Sequence, residues 1–371
     1  MKIIDHVGKC QYACRAMPWV VREYSKGQID SSGRILLQYP AGHPDRDIVL
    51  SIINNWRACH SYPLQVIKMT LLRRAKKIDR SVLVAQRLKR LPSISLKLSQ
   101  NPNMKLSQMQ DIGGCRAVLT DVRLVHKLVA VYRRAGLKNP RNRPVLIEAY
   151  DYIAAPKSDG YRGIHLIYKY QSQSRQKIIF AGQRIEIQIR SKQQHVWATA
   201  VETAQTFTGQ ALKSRIKAAS ESWLRFFALM GSAIADWEKQ PGVPGTPTDR
   251  VSRIKELREI VAREGILECL SAWNAAILEL ETTTERMAWL FLLVLDPGEG
   301  KLFITEYKKD EMTLAQDQYL YIEKQYENKP QVQVVLVSVD SIGALRKAYP
   351  NYYADTTEFI RAVQREISQE V

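Results

Sequence analysis

Asp151 to Leu166, Asp-Tyr-Ile-Ala-Ala-Pro-Lys-Ser-Asp-Gly-Tyr-Arg-Gly-Ile-His-Leu, packs two cations, two tyrosines and a histidine into one short stretch. Cations anchor phosphates by charge, and flat rings hold a planar group by stacking. Three other places carry comparable chemistry. Arg87, Lys89 and Lys97 form a cation trio able to grip a triphosphate. Asp111 stands just before Gly113-Gly114, where backbone can approach a ligand closely and a carboxylate can hold Mg²⁺ beside phosphates. Arg184 to Arg190 alternates strictly, so Arg184, Glu186, Gln188 and Arg190 share one strand face and Ile185, Ile187 and Ile189 the other. If the polar face is the site, Glu186 is a metal ligand or general base. Each feature also has an ordinary reading: a hairpin loop with solvated charges, a short basic run, a turn aspartate, and the wet face of an antiparallel sheet.

The elements that must position these groups follow from periodicity. Val145 to Ile153 and Ile164 to Tyr170 predict two strands flanking the loop, punctuated by Pro156, Gly160 and Gly163. Asp45 to Asp79 predicts helices broken near Pro63. Arg87 to Lys97 predicts an extended segment with a turn at Pro92, so Arg87 and Lys89 share a side and Lys97 follows the turn. Gln110 to Thr120 predicts a loop entering a strand, Arg123 to Gly136 a helix, and 200–240 helix again. Pro241-Gly-Val-Pro-Gly-Thr-Pro-Thr248 is a connection between domains. Beyond it come one or two helices over 250–284, strands at Met287–Leu295, Lys301–Tyr307 and Gln331–Val339, and helices at 313–326, 341–349 and 356–367. The expected fold class is α+β, a mixed β-sheet flanked by helices, with a small C-terminal α+β domain. Its expected parts are an N-terminal helical part (1–84), a core (85–240), a linker with a connecting helix (241–284) and a C-terminal domain (285–371).

Composition narrows the function. The 371 residues contain no apolar run of the eighteen or so residues a membrane span needs, and no apolar signal core opens the chain, so a soluble, cytoplasmic protein is expected. Five cysteines without a Cys-x-x-Cys pair read as buried thiols rather than a zinc site. The net charge of +18 is uneven: residues 1–200 hold 35 Lys or Arg against 12 Asp or Glu, a net +23, and residues 201–371 hold 20 against 25, a net −5. The first half suits a polyanion, a nucleotide or a nucleic acid.

In order and spacing, Arg87-x-Lys89 with Ser93-Ile94 and Lys97, Asp111-Ile-Gly-Gly-Cys-Arg116, Asp151-Tyr-Ile with Pro156-Lys157, Gly160-Tyr161-Arg-Gly-Ile-His165 and Glu186-Ile-Gln-Ile-Arg190 resemble the RelA/SpoT synthetase domain. The resemblance covers about residues 85–205. It implies transfer of pyrophosphate from ATP to a 3′-hydroxyl, with Arg87 and Arg116 holding adenine, Lys89, Lys97 and Lys157 the phosphates, and Asp111 with Glu186 a Mg²⁺ ion. It implies further that Glu186, helped by Gln188, polarises the attacking hydroxyl, and that Tyr161, His165 and Tyr152 hold the acceptor. The His-Asp pair of the hydrolase found in long bifunctional members is missing, so removal of the product is not expected.

The C-terminal residues resemble the antitoxin domain of fused toxin-antitoxin members of that family, the CapRel type, whose Tyr-x-x-Tyr element matches Tyr349 and Tyr352. That resemblance implies an acceptor at the 3′ CCA end of tRNA, blocked translation, and a C-terminal domain that plugs the ATP site until a phage capsid protein binds it. A monomer is favoured. Synthesis of (p)ppGpp or (p)ppApp, non-catalytic RNA binding, and tyrosines that merely pack the domain are the alternatives.

Overall fold

The computed structural model describes residues 19–39, 43–136, 144–211, 217–275, 278–281, 289–329, 331–339, 342–353 and 355–369. One nine-stranded mixed sheet runs through these residues, in the order β3-β4-β5-β2-β1-β9-β7-β8-β6. Its first half comprises β1 (Leu83–Leu88), β2 (Gly113–Leu119), β3 (Val145–Asp151), β4 (Ile164–Lys169) and β5 (Arg184–Ser191). β2 and β5 run parallel, and the other neighbours in this half are antiparallel.

Alternation divides the two faces of this half. Ile185, Ile187 and Ile189 are fully buried, as their spacing predicts, and join Ile164, Leu166, Cys115 and Ala117 under α3 (Ser61–Lys76) and α5 (Val122–Gly136). The opposite face carries Arg116, His165, Glu186, Gln188 and Arg190. This face is not wet: Arg116, Glu186 and Arg190 are each less than a tenth exposed. What covers it comes from α6 (Lys192–Ala211) and from the far end of the chain.

α2 (Arg46–Ala58) ends before α3 begins, so the break falls ahead of Pro63, which sits in the first turn of α3, where the missing N–H costs nothing. α4 (Leu91–Gln100) begins with Pro92 in its first turn, which places Lys97 on a helix rather than after an extended turn. A proline here opens a helix, where the sequence predicts a turn in an extended segment. The strand β6 (Leu278–Glu281) replaces part of the helix expected over 250–284. Cys59 and Cys115 are buried and Cys269 is half-buried, whereas Cys10 and Cys14 lie outside the described residues. No described helix is long and apolar enough to cross a membrane.

The residues after the linker extend the same sheet. β7 (Leu290–Asp296) is buried along its whole length between β8 (Lys301–Tyr307) and β9 (Gln333–Ser338), and β9 pairs with β1 through Gln86↔Ser338 and Arg87↔Val337. On the site's side of the sheet, Val335, Val337 and Val339 pack under Leu345, Ala348, Tyr349, Tyr352 and Tyr353, a cluster that also takes in Ala85 of β1. That packing carries α11 (Ile342–Ala348) and the 3₁₀ turn Pro350–Tyr353 over the end of β1. α12 (Thr357–Ile367) buries Phe359, Ala362 and Val363 among α6, α7 (Lys217–Trp237), α8 (Arg250–Glu264) and α9 (Ile266–Ala275).

A buried ion pair joins the two halves on the other side. Arg57 of α2, 1% exposed, donates to Glu323 of α10 (Met312–Gln325) at 2.6 Å and to the carbonyl of Lys89 at 2.9 Å, and the Leu91 N–H donates to Glu323 at 2.9 Å. α10 therefore clamps the corner that carries Lys89. Glu323→Gln keeps the shape but leaves Arg57 buried without its counter-charge. Its expected cost is about 2 kcal/mol, measurable by chemical denaturation, whereas Asp47→Asn, which breaks the exposed pair with Lys324 at 2.8 Å, should cost less than about 1 kcal/mol.

Candidate active site

Register assembles the site. Arg87 faces Gly114 across β1 and β2, Gly114 faces Glu186 across β2 and β5, and Arg116 faces Gln188, which faces His165. Gly114 leaves a gap in this polar row, since a side chain begun there would meet nothing within 4 Å. Ala85, Arg87, Lys89, Asp111, Gly114, Cys115, Arg116, Glu186, Gln188 and Tyr349 line one cavity of about 40 Å³. Six of the residues singled out in the sequence for nucleotide or metal chemistry thus meet in one place, together with a tyrosine from the C-terminal part of the chain.

Both oxygens of Asp111 are engaged, one by Lys89 at 2.8 Å and the other by Lys97 at 2.9 Å. Burial alone would raise the Asp111 pKa, but the two ammonium groups outweigh it and hold the carboxyl below its usual range. Burial lowers the pKa of Lys89, with Asp111 opposing the shift. Arg116 is also pulled down, chiefly by burial and then by the nearby Arg190.

Around Glu186 the side chains close a ring. Arg190 donates through Nη2 to the Tyr161 hydroxyl at 2.9 Å and to Gln188 Oε1 at 3.2 Å, and Gln188 Nε2 donates to Glu186 Oε2 at 2.7 Å. His165 Nδ1 lies 2.8 Å from Glu186 Oε1, and His165 Nε2 lies 2.5 Å from the Tyr161 hydroxyl. With the proton on Nδ1, His165 donates to Glu186 and accepts from Tyr161, so each contact around the ring pairs a donor with an acceptor. Burial would raise the Glu186 pKa, but the hydrogen bonds from His165 and Gln188 help to outweigh it and hold the carboxyl below its usual range. A carboxylate with a depressed pKa stabilises the fold at higher pH and loses that contribution as pH falls through its folded-state value. Protonation of Glu186 should accordingly leave activity and stability untouched from pH 8 down to about pH 5, checked by kcat/KM and unfolding profiles. An acid limb near neutrality that disappears in Glu186→Gln would contradict this.

The loop before β4 supplies the aromatic side. Gly160 has φ +96°, and a Cβ there would come within 2.8 Å of both the Phe227 carbonyl and the Trp197 ring, so only glycine fits against α7. Lys157 Nζ lies 4.6 Å from the Tyr152 ring centroid and 5.4 Å from that of Tyr161. Tyr150, which the sequence reading did not single out, stacks parallel to Tyr152 at 6.0 Å and is 38% exposed. It pairs with His165 in register, one strand beyond Gln188.

Two further residues escaped the sequence reading. Arg190 belonged to the recognised polar face without a role, yet it closes the ring, and its Nε and Nη1 have no partner among the described residues. His195 of α6 carried no signal. It faces Arg116 Nη1 at 3.5 Å and donates through Nε2 to the Lys347 carbonyl at 3.2 Å, and burial, then Arg116 and Arg190, keep it neutral.

Tyr349 occupies the cavity wall directly. The Arg116 guanidinium lies 5.4 Å from its ring centroid and donates to the Ala348 carbonyl at 3.2 Å, and the Tyr349 hydroxyl donates to the Gln86 carbonyl at 3.1 Å. Tyr352 stands behind it, edge-on at 6.2 Å and 2% exposed, and does not line the cavity. The two tyrosines of the Tyr-x-x-Tyr element therefore have different neighbours.

Comparison with known proteins matches residues 86–209 to a family model described as "Region found in RelA / SpoT proteins". The GTP pyrophosphokinase YjbM of Bacillus subtilis (strain 168) is 29% identical over 150 residues, which cover 38% of this chain and 65% of that protein. Among solved structures, small alarmone synthetase 1 of Bacillus subtilis aligns at 20% identity and a TM-score of 0.38, covering 49% of this chain and 91% of its own. A GTP pyrophosphokinase family protein from Streptococcus pneumoniae aligns at 23% identity and 0.37, covering 48% and 86%. Residues 86–209, the segment holding the polar face described above, thus match a region found in RelA/SpoT proteins.

Proposed function

We propose that this chain is an ATP-dependent pyrophosphokinase. The observation that carries the reading is the single cavity in which Arg87, Lys89, Asp111, Arg116, Glu186 and Gln188 meet, inside the matched segment. The acceptor's 3′-oxygen attacks the β-phosphorus of ATP. The bond between that phosphorus and the bridging oxygen to the α-phosphate breaks, and AMP leaves with the bridging oxygen. Glu186, ionised and held by His165 and Gln188, takes the hydroxyl proton. Lys89, Lys97 and Lys157 neutralise the transferring phosphates, and Arg87 with Arg116 clasps the adenine; such chemistry is mostly positioning and charge neutralisation. Two carboxylates facing one cavity fit Mg²⁺, which takes one or two protein carboxylates alongside phosphates. Asp111 and Glu186 would hold it, and the ion would neutralise charge on the phosphates.

The acceptor in this reading is the 3′-terminal adenosine of tRNA, with Tyr161 and Tyr152 beside its base and His165 near its sugar, so that transfer blocks aminoacylation. The +23 charge of residues 1–200 and the exposed Tyr150 stacked on a half-buried Tyr152, itself beside Lys157, support an RNA over a mononucleotide. In the same reading residues 285–371 hold the enzyme shut until a phage structural protein engages them. Supporting this, about 40 Å³ remains beside Tyr349, whereas ligand pockets run to about 300 Å³ or more. Similarity to a protein named GTP pyrophosphokinase favours a second reading, a guanine nucleotide as acceptor. Incubating the protein with γ-labelled ATP and either deacylated tRNA or GDP separates them: label should appear on tRNA, and label on the nucleotide alone would overturn the first reading in favour of the second.

A further inference from the structure

A second, larger cavity lies on the same sheet face, outside the ATP pocket. It measures about 410 Å³, and Arg22, Lys26, Lys105, Lys169 and Arg184 stand around it. Asp30 is the one acidic residue among the described residues of its lining, and its carboxylate oxygens accept from the backbone N–H and the hydroxyl of Ser107 at 2.8 and 3.0 Å. Arg184 gives one N–H to the Gln108 carbonyl at 2.7 Å, while the side chains of Arg22, Lys26, Lys105 and Lys169 make no hydrogen bond or ion pair among the described residues. Trp56 also lines the cavity, and its buried indole N–H has no acceptor there. Five cations around one basin repel one another, with Asp30 offsetting only part of their charge, and a bound anion would relieve that repulsion and give the Trp56 N–H an acceptor.

The basin is tied to the active site by register. Lys169 faces Arg184 across β4 and β5, and Arg184 precedes Glu186 by two residues, which puts it about 7 Å along the same face of the strand. Among the described residues none beyond Arg184 lines it, so the C-terminal segment that seats Tyr349 leaves it open.

We propose that this basin is a polyphosphate-recognition site separate from the ATP pocket, taking two or more phosphate groups at once. The phosphates can belong to a phosphodiester backbone or to a free nucleoside polyphosphate; the recognition chemistry is the same, and the site is accessible in the full chain with Tyr349 in place. Lys26, Lys105 and Lys169 are all exposed, so replacing them by Ala leaves the core untouched.

The test compares the full-length triple variant with the parent in two binding titrations, deacylated tRNA over a range of salt concentrations and inorganic tripolyphosphate at fixed salt, with Mg·ATP binding as the control. If RNA is the source, the slope of log K against log salt becomes shallower by about 2 to 3. If a free polyphosphate is the source, tripolyphosphate binds about tenfold more weakly. Either change with ATP binding intact supports the site. Unchanged RNA slope and unchanged tripolyphosphate affinity overturn it, as does a loss confined to ATP. The readout is binding alone, so an absence of pyrophosphate transfer, which would sink the catalytic reading, leaves this result interpretable.

Discussion

Glu186→Gln is expected to lower the rate of AMP formation by about 10³-fold while changing unfolding free energy by no more than about 1 kcal/mol. The substitution removes the proposed base and a carboxylate aimed into the cavity, yet keeps the shape and the acceptor that His165 uses. The new amide would oppose the Gln188 Nε2 donor, so Gln188 must turn its amide over and give up the bond it accepts from Arg190. That rearrangement stays within the ring, which is why the fold should survive. Residual activity within about tenfold of the parent, measured as single-turnover AMP release, would remove Glu186 from the role of base.

Tyr349→Ala is expected to act in the opposite direction. The ring contributes a cation–π contact with Arg116, a hydrogen bond to the Gln86 carbonyl and the burial of a large side chain. Together these are worth about 3 kcal/mol in favour of the closed state, or about 10²-fold in the population able to take ATP. The variant should therefore bind ATP more tightly and release AMP faster by up to that factor. Tyr349→Phe keeps ring and burial and loses the hydroxyl alone, so its gain should be under tenfold. Tyr352 does not line the cavity, so Tyr352→Ala should act more weakly on ATP affinity and more strongly on stability. Point variants are the sharper tools here, because deleting residues 285–371 would also strip β9 from β1 and α12 from the helical layer. Tyr349→Ala with the ATP affinity and rate of the parent would contradict the occlusion reading.

The polar face is legible because a strand has a fixed period: the alternation of Arg184 to Arg190 assigns Glu186 and Gln188 to one side and three isoleucines to the core. The helices with clean apolar stripes, such as α5 and α12, were equally plain. Pro92 misled, since a first-turn proline starts a helix and a later one stops it, and spacing alone does not say which. Contacts between residues far apart in the chain were out of reach. Nothing in Gln331 to Val339 announces that β9 will pair with β1, nor in α10 that Glu323 will meet Arg57 and tie down the corner carrying Lys89. His195 shows the same limit. Its neutrality and its bond to the Lys347 carbonyl exist because two distant segments are pressed together.

Those distant contacts make one claim central, that the matched domain transfers pyrophosphate and that Tyr349 competes for its donor pocket. The most direct measurement follows α-labelled ATP with acceptor present, in the parent chain, in Tyr349→Ala and in the Tyr349→Ala/Glu186→Gln double variant. Labelled AMP should form slowly in the parent, about 10²-fold faster in Tyr349→Ala, and fall back by about 10³-fold in the double variant, one AMP for each pyrophosphate gained by the acceptor. Labelled ADP in place of AMP, or AMP formation indifferent to Glu186, would contradict the account.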